Sequence, residues 1–549
     1  MKLETAMQTL KLFTMTMLAA CASSALAGPT VQNTEVIGGF SGHGTAVHPE
    51  NMEPEPIAYY GTDLGFTYTH EGKLQILFGD TWAVESYAPI EASTGSKFDD
   101  GFGWIDLSEW PDPSKITPDN IPVLRLGQNL GTSEMSAMNP GHAMDLGKTP
   151  MGGFSNGANE FAIFNLTKPR GCATDDDCDN GLGCDTGLGF AGAPFIAQEN
   201  LTLSCVDGQP GCQADTLVDE DGAAVTPSGL CIDRSSTVFA DSNAGRMTAA
   251  GIQQRIGMRS TDDPKIYQDT RDWLTTKFLN VTPTTVESFE PGADPSANDY
   301  RPAGGTDGNQ RVFLWGRPGF VGVKALDRSL GLYFAYVDLP KGQGYEWKPM
   351  YFTGTKDGVP QFSANEHDAA PLDLDAAEDG VQAKEVHDAV QQMTVEWIEP
   401  LDKWVMFYGG GLITLPSPFL PNCGVLELFA RSACKDVDLE RQSIYMRTAD
   451  QPWGPWSVPQ QVLEGGDPAD PDSGQFGPGG VLHHPDCKGE TCATHTQSPY
   501  YNEREYGFLY SANIIREWTQ AVDGGVDLIW NASTWDPYRV VLLRTRLSK

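Results

Sequence analysis

The sequence predicts an all-β chain, and three observations carry that reading. Short runs rich in β-branched and aromatic residues recur along it, bounded by Gly, Pro, Asn and Asp. These runs gather into five groups of three or four candidate strands, near residues 57–82, 150–241, 311–338, 393–450 and 505–547. Helix-period segments are few, residues 251–257 and 271–278 being the best. Five such groups fit a five-bladed β-propeller. A pair of β-sandwiches would give a similar period, so the pattern alone leaves both open.

Composition narrows the class. The 549 residues include 60 Gly and 38 Pro, which mark many turns, and 13 Trp, 17 Tyr and 24 Phe, enough for a packed β core. Lys and Arg number 37 against 73 Asp and Glu, a net charge of −36. A chain that negative is repelled by nucleic acid and by an anionic membrane surface. A highly anionic polysaccharide is disfavoured as a substrate for the same reason.

Residues 1–27 read as an export signal: Lys2 and Lys11 flank an apolar run from Leu12 to Ala20, and Ala25-Leu26-Ala27 is a small-residue cleavage pattern. The run is too short to span a bilayer permanently. Leu18-Ala19-Ala20-Cys21 also fits a bacterial lipoprotein signal, in which Cys21 is lipidated and becomes the first residue. The expected location is therefore secreted, periplasmic or outer-membrane, with any membrane contact made through a lipid on Cys21.

The cysteines agree with export. Ten of the eleven remain after Cys21. Cys172, Cys178, Cys184, Cys205, Cys212 and Cys231 cluster, while Cys423/Cys434 and Cys487/Cys492 form two local pairs. An even, locally grouped set in an exported chain reads as five disulfides. Zinc is the alternative, but no histidine lies near the cluster and the spacing is not C-x2-C. Asp175, Asp177 and Asp179 alternate like the start of a calcium loop, yet position six is Asn180 and position twelve Thr186. A solvated acidic loop is the reading taken.

In chain order, residues 28–56 form an extended leader, residues 57–549 the propeller, and residues 172–231 a disulfide-rich insert within it. The first group opens with a hairpin turned at Glu71-Gly72. It carries two carboxylates, Asp63 in the first strand and Asp80 just past the second. Carboxylates are disfavoured in strands, so the pair asks for a reason. Glu396 is a third, set mid-strand between Val395 and Trp397. His70 belongs to the hairpin turn and is expected to be exposed, with no part in the chemistry. Asp368 lies in a loop and is a weaker acid candidate.

Several segments together resemble a bacterial family, that of domain of unknown function 4185, some of whose members form glycoside hydrolase family 183, the endo-D-arabinanases. The matching residues are Gly61-Thr62-Asp63-Leu64-Gly65 with Leu77-Phe78-Gly79-Asp80-Thr81, then Leu314-Trp315-Gly316-Arg317-Pro318 and the segment from Trp347 to Gly354. Thr394-Val395-Glu396-Trp397 with Lys403-Trp404-Val405, Arg447-Thr448-Ala449 with Gly454-Pro455-Trp456-Ser457, and Ser533-Thr534-Trp535-Asp536-Pro537-Tyr538 complete the series in order. The resemblance implies a five-bladed propeller with Asp63 and Asp80 near its channel, and D-arabinan as substrate. The cysteine insert departs from the family pattern.

Glycoside hydrolysis needs one protonated carboxyl to donate to the leaving oxygen and one ionised carboxyl as base or nucleophile. Asp63 and Asp80 are the candidate pair, with Glu396 as a third acid that adjusts them. Trp82 and Trp535 are candidate sugar-stacking surfaces, because the apolar face of a sugar packs on indole. Each has a plainer role available: a turn carboxylate for Asp80, an inter-blade hydrogen-bonding group for Asp63, a solvated face for Glu396, core packing for the tryptophans. No P-loop occurs, and no metal or cofactor is expected. The expected activity is that of a secreted or lipid-anchored glycosidase acting on a neutral furanose-rich polysaccharide. A propeller that binds glycans or protein without catalysis is the alternative.

Overall fold

The computed structural model describes residues 28–42, 61–81, 99–126, 149–186, 229–241, 245–260, 268–286, 310–317, 331–339, 346–374, 390–410, 443–465, 508–535 and 539–549, with short pieces between them. Five antiparallel sheets stand around a common axis. Their innermost strands are Leu64–His70, Thr149–Ser155, Asn280–Val286, Val390–Ile398 and Phe508–Ile514. Each contacts the inner strand of the next blade, and the fifth contacts the first, so the ring is closed. The chain is an all-β, five-bladed propeller with a disulfide-containing insert.

Alternation along the strands explains why the blades stack. Successive side chains of a strand point to opposite faces, and a blade between two neighbours must be apolar on both. In the strand Arg539–Ser548, Val541, Leu543 and Leu547 pack towards blade four, while Val540 and Leu542 pack towards blade one. In Gln310–Arg317, Phe313 and Trp315 join the cluster shared with blade four, and Val312 and Leu314 the one shared with blade two. Each of the five seams holds one such cluster. Trp315, Trp404, Trp456, Trp518 and Trp530 are all fully buried, as expected of blade core.

The ring is locked by its termini. Thr30–Gly42, expected as a leader, is the outermost strand of blade five and pairs antiparallel with Arg539–Ser548 near the C-terminus. Its polar sequence, with only Ile37, Phe40 and Ser41 among the buried side chains before Gly42, masks a strand that needs just one apolar edge.

Blade two corrects a second expectation. The helix-period stretches 251–257 and 271–278 are strands, Ile252–Ser260 and Gln268–Thr275, paired with each other and with Asn159–Pro169. Their polar residues find partners in the sheet: Gln254 reaches the carbonyl of Leu279 at 2.8 Å, and Arg255 pairs with Asp272 on the adjacent strand at 3.0 Å.

The insert leaves blade two after Pro169 and returns at Ile252. It has its own sheet of Gly171–Cys172, Gly183–Asp185, Gly229–Asp241 and Gly245–Ala250, so it runs on past Cys231. Among the described residues two disulfides cross it, Cys172–Cys184 and Cys178–Cys231. The sulfurs of Cys172, Cys178 and Cys231 lie within 4.8 Å of one another, but all three are in disulfides and offer no thiolate to zinc. Asp175 and Asp177 accept backbone N–H groups of Cys184, Ala173 and Thr174, a loop-holding role. The other cysteines, and residues 1–27 with Cys21, lie outside the described residues.

Candidate functional site

All inner strands run in one direction, so the channel has an entry mouth where they begin and an exit mouth where they end. Asp63 stands at the entry mouth, one residue before the inner strand of blade one, and is 7% exposed. Its Oδ2 accepts the Tyr510 hydroxyl from blade five at 2.7 Å. The Gly79 N–H donates to the Asp63 carbonyl at 3.2 Å, which sets Asp80 beside it on the second strand. A Cβ on Gly79 would meet Asp63 Oδ1 at 2.4 Å, so that position takes only glycine without displacing the carboxylate.

The backbone around this pair is strained. Leu64, directly after Asp63, has φ 65°, and Ser511, directly after Tyr510, has φ 52°. A left-handed non-glycine residue costs roughly 1–2 kcal/mol, and such residues cluster at functional positions. Side chains hold them there. Ser511 Oγ and Asn513 Nδ2 both donate to the Leu64 carbonyl, at 3.0 and 2.9 Å, and Asn531 Nδ2 donates to that of Gly65 at 2.9 Å. Tyr510, Ser511, Asn513 and Asn531 carried no sequence motif that singled them out.

Trp535 ends the strand Gly525–Trp535 and pairs with Phe508, at the start of the blade-five inner strand, hence at the entry mouth too. The side chains of Asp80 and Trp535, and all of Trp82, lie outside the described residues. Glu396 does not join this group. It is the seventh residue of the inner strand Val390–Ile398 and opens on the exit mouth, in a cavity that His70 also lines. Seven residues of strand separate Asp63 from His70, roughly 20 Å at 3.3 Å per residue. Asp63, Asp80 and Trp535 are therefore brought to one end and Glu396 to the other.

At the exit mouth, Glu396 is 15% exposed at its side chain, with Arg516 Nη1 at 3.9 Å from Oε2. Burial pushes its carboxyl up to about 7; Arg516 works against the rise and Glu517 with it. Glu517 takes a hydrogen bond from the Thr69 hydroxyl and lies 3.7 Å from Arg516 Nη2. His70, expected on the surface, is buried, because it closes the inner strand one residue before the turn and its ring points between blades. Its Nδ1 is 2.7 Å from Ser155 Oγ, and Nε2 is 3.6 Å from Glu160. Burial lowers its pKa against the opposing charge of Glu160, so the ring is neutral at pH 7. Glu160 is itself held by Tyr68, whose hydroxyl donates at 2.7 Å, and by Arg259.

Two further acids have structural duties. Asp368 is exposed and accepts from Ser363 at 2.6 Å. Glu366, unremarked in the sequence, is fully buried and accepts the N–H groups of Thr276 and Lys277 at 2.7 and 2.6 Å, tying blade three to blade two. Burial raises its pKa despite those bonds.

No protein-family model matches the chain, and no curated protein does. Among solved structures, an α-L-arabinofuranosidase from Podospora anserina aligns at 9% identity, over 95% of this chain and 98% of its own, with a TM-score of 0.29. An N-acetylgalactosamine deacetylase from F. plautii aligns at 9%, over 94% and 96%, with a TM-score of 0.33. Trypanosoma rangeli sialidase aligns at 7%, over 94% and 59%, with a TM-score of 0.29. Likenesses this low carry no argument about chemistry. The propeller assignment stands on the strand pairing and ring closure.

Proposed function

We propose that the protein is a glycoside hydrolase of the exported bacterial type, cleaving a neutral furanose-rich polysaccharide at the entry mouth, with Asp63 and Asp80 as its acid/base pair. The observation that carries the reading is the placement of Asp63: a desolvated carboxylate at the channel, held by a tyrosine hydroxyl and followed by the strained Leu64, with a second aspartate one hydrogen-bonded step away. A carboxyl in that setting can be kept oriented while its partner gives or takes a proton. One of the pair protonates the leaving glycosidic oxygen, and the other, ionised, acts as base or nucleophile. D-arabinan is the substrate that the family resemblance implies. A net charge of −36 fits a neutral glycan better than an anionic one.

The test is to incubate the mature chain with arabinans and fructans and to separate the products by chromatography, alongside Asp63→Asn and Asp80→Asn. Product from one glycan, lost in both folded variants, supports the reading. Saturable binding to a glycan with no product from any of them would establish the non-catalytic binding propeller instead.

A further inference from the structure

A groove on the outer wall of the molecule has no part in the hydrolytic reading. It lies at the seam of blades three and four, between the outer strands Met350–Lys356 and Val359–Ser363 of one and the loop after Ser443–Ala449 of the other. Among the described residues none of those lining it belongs to an inner strand, so it is separate from the channel. Its volume is about 580 Å³, within the range of sites that hold organic ligands. Trp453 and Phe352 line it as a stacked pair, ring centroids 5.9 Å apart and planes 14° apart. Phe352 is buried, whereas Trp453 keeps part of its indole in the open, unlike Trp315, Trp404 and Trp456 of the same two blades. Asp373 and Thr355, both exposed, and the half-buried Gln451 set polar groups around the rings. The walls are fixed from below. Arg447, 1% exposed, donates through Nη1 to the carbonyls of Leu374 and Ser457 at 2.7 and 2.9 Å, which clips the segment carrying Asp373 to the one carrying Trp453. The Trp456 N–H donates to the Asp373 carbonyl at 3.3 Å, and the Pro452 carbonyl accepts Trp315 Nε1 at 2.8 Å. A preformed site loses little ordering entropy when a ligand enters.

We propose that this groove binds a neutral glycan, as a second carbohydrate site remote from Asp63. Its lining selects that class. Among the described residues it holds no lysine, arginine or histidine, so nothing there attracts an anion. Asp373 is its one carboxylate, too sparse a set of charged oxygens for a divalent cation. Pro360, Pro371 and Pro455 on its walls have no N–H to give, which removes donors that an added peptide strand would need. A sugar fits what is left. Its C–H face packs on the Trp453 indole, while its hydroxyls donate to the Asp373 carboxylate and exchange hydrogen bonds with Gln451 and Thr355. The site stands whether or not the chain hydrolyses glycans at the entry mouth.

The experiment is affinity electrophoresis of the mature chain through gels cast with arabinan, fructan or xylan, alongside calorimetry with a polyproline peptide. Retardation by at least one glycan is expected, retained in Asp63→Asn, weakened about tenfold by Trp453→Ala and severalfold by Asp373→Ala. Thr355→Trp, a change at an exposed wall position that fills the groove, should abolish it, which decides the matter even if Trp453→Ala fails to fold. Retardation unchanged by both Asp373→Ala and Thr355→Trp would place the glycan elsewhere and overturn the proposal. So would a chain that no glycan retards. Saturable binding of the polyproline peptide, with none of any glycan, would assign the groove to a protein partner and overturn it as well.

Discussion

Glu396 ties a single residue to the pH dependence of the whole fold. Its carboxyl is pushed up to about 7 in the folded chain, from an ordinary value of 4.5. The folded state therefore holds the proton more tightly, and stability from this group is full below pH 4.5 and lost as pH rises through 7. The difference is of order 3 kcal/mol. Glu396→Gln should thus melt higher than the unaltered protein at pH 8 and nearly level with it at pH 4.5; a parallel offset at both pH values would show that the carboxyl does not titrate as described. Asp63→Asn keeps an acceptor for Tyr510 and should cost about 1 kcal/mol, small beside the loss of activity expected of it. At this scale the sequence disclosed Asp63 and Asp80 because a carboxylate in a strand is out of place. It hid His70, since one residue of register decides whether a side chain beside a turn faces solvent or a neighbouring blade. It also hid Tyr510 and Glu517, whose partners lie hundreds of residues away.

Among the elements, the strand Thr30–Gly42 closes the ring, and its anchor is Ile37, 3% exposed in the seam between blades five and one. Ile37→Ala should destabilise by about 2–4 kcal/mol, read as a lower denaturant midpoint, whereas Val31→Ala, near the strand's exposed start, should cost much less. Gly153 is a second test of fit. A Cβ there would meet Tyr68 Cδ1 at 2.3 Å, so Gly153→Ala should cost about 1–3 kcal/mol and move the tyrosine off Glu160. In the insert, Cys178–Cys231 spans 53 residues and Cys172–Cys184 spans 12. Chain-entropy arguments assign them about 4 and 3 kcal/mol, so replacing the longer link with serines should lower the insert's melting point more. Strand groups were readable where apolar and aromatic residues concentrate, as in Arg311–Gly316. They were misread in Ile252–Ser260 and Thr30–Gly42, where polar side chains serve neighbouring blades or the surface and leave no period-two signal.

For the molecule as a whole, the five seams explain why the chain is so rich in apolar residues on both faces of its strands, and the paired termini explain how the ring stays shut. The propeller was legible in the count of strand groups, but not against a pair of sandwiches until the inner strands were seen to meet in a circle. The separation of Asp63 from Glu396 was not legible at all, because position along a strand says nothing of which end of a channel it reaches until strand limits are fixed. The proposed chemistry belongs to the mouth at which the inner strands begin. The measurement that tests this most directly is product release from a panel of neutral arabinans and fructans by the unaltered chain and by Asp63→Asn. Release by the first and none by the second, with both folded, is the expected result. Equal release by both would remove Asp63 from the chemistry and contradict the assignment of the entry mouth.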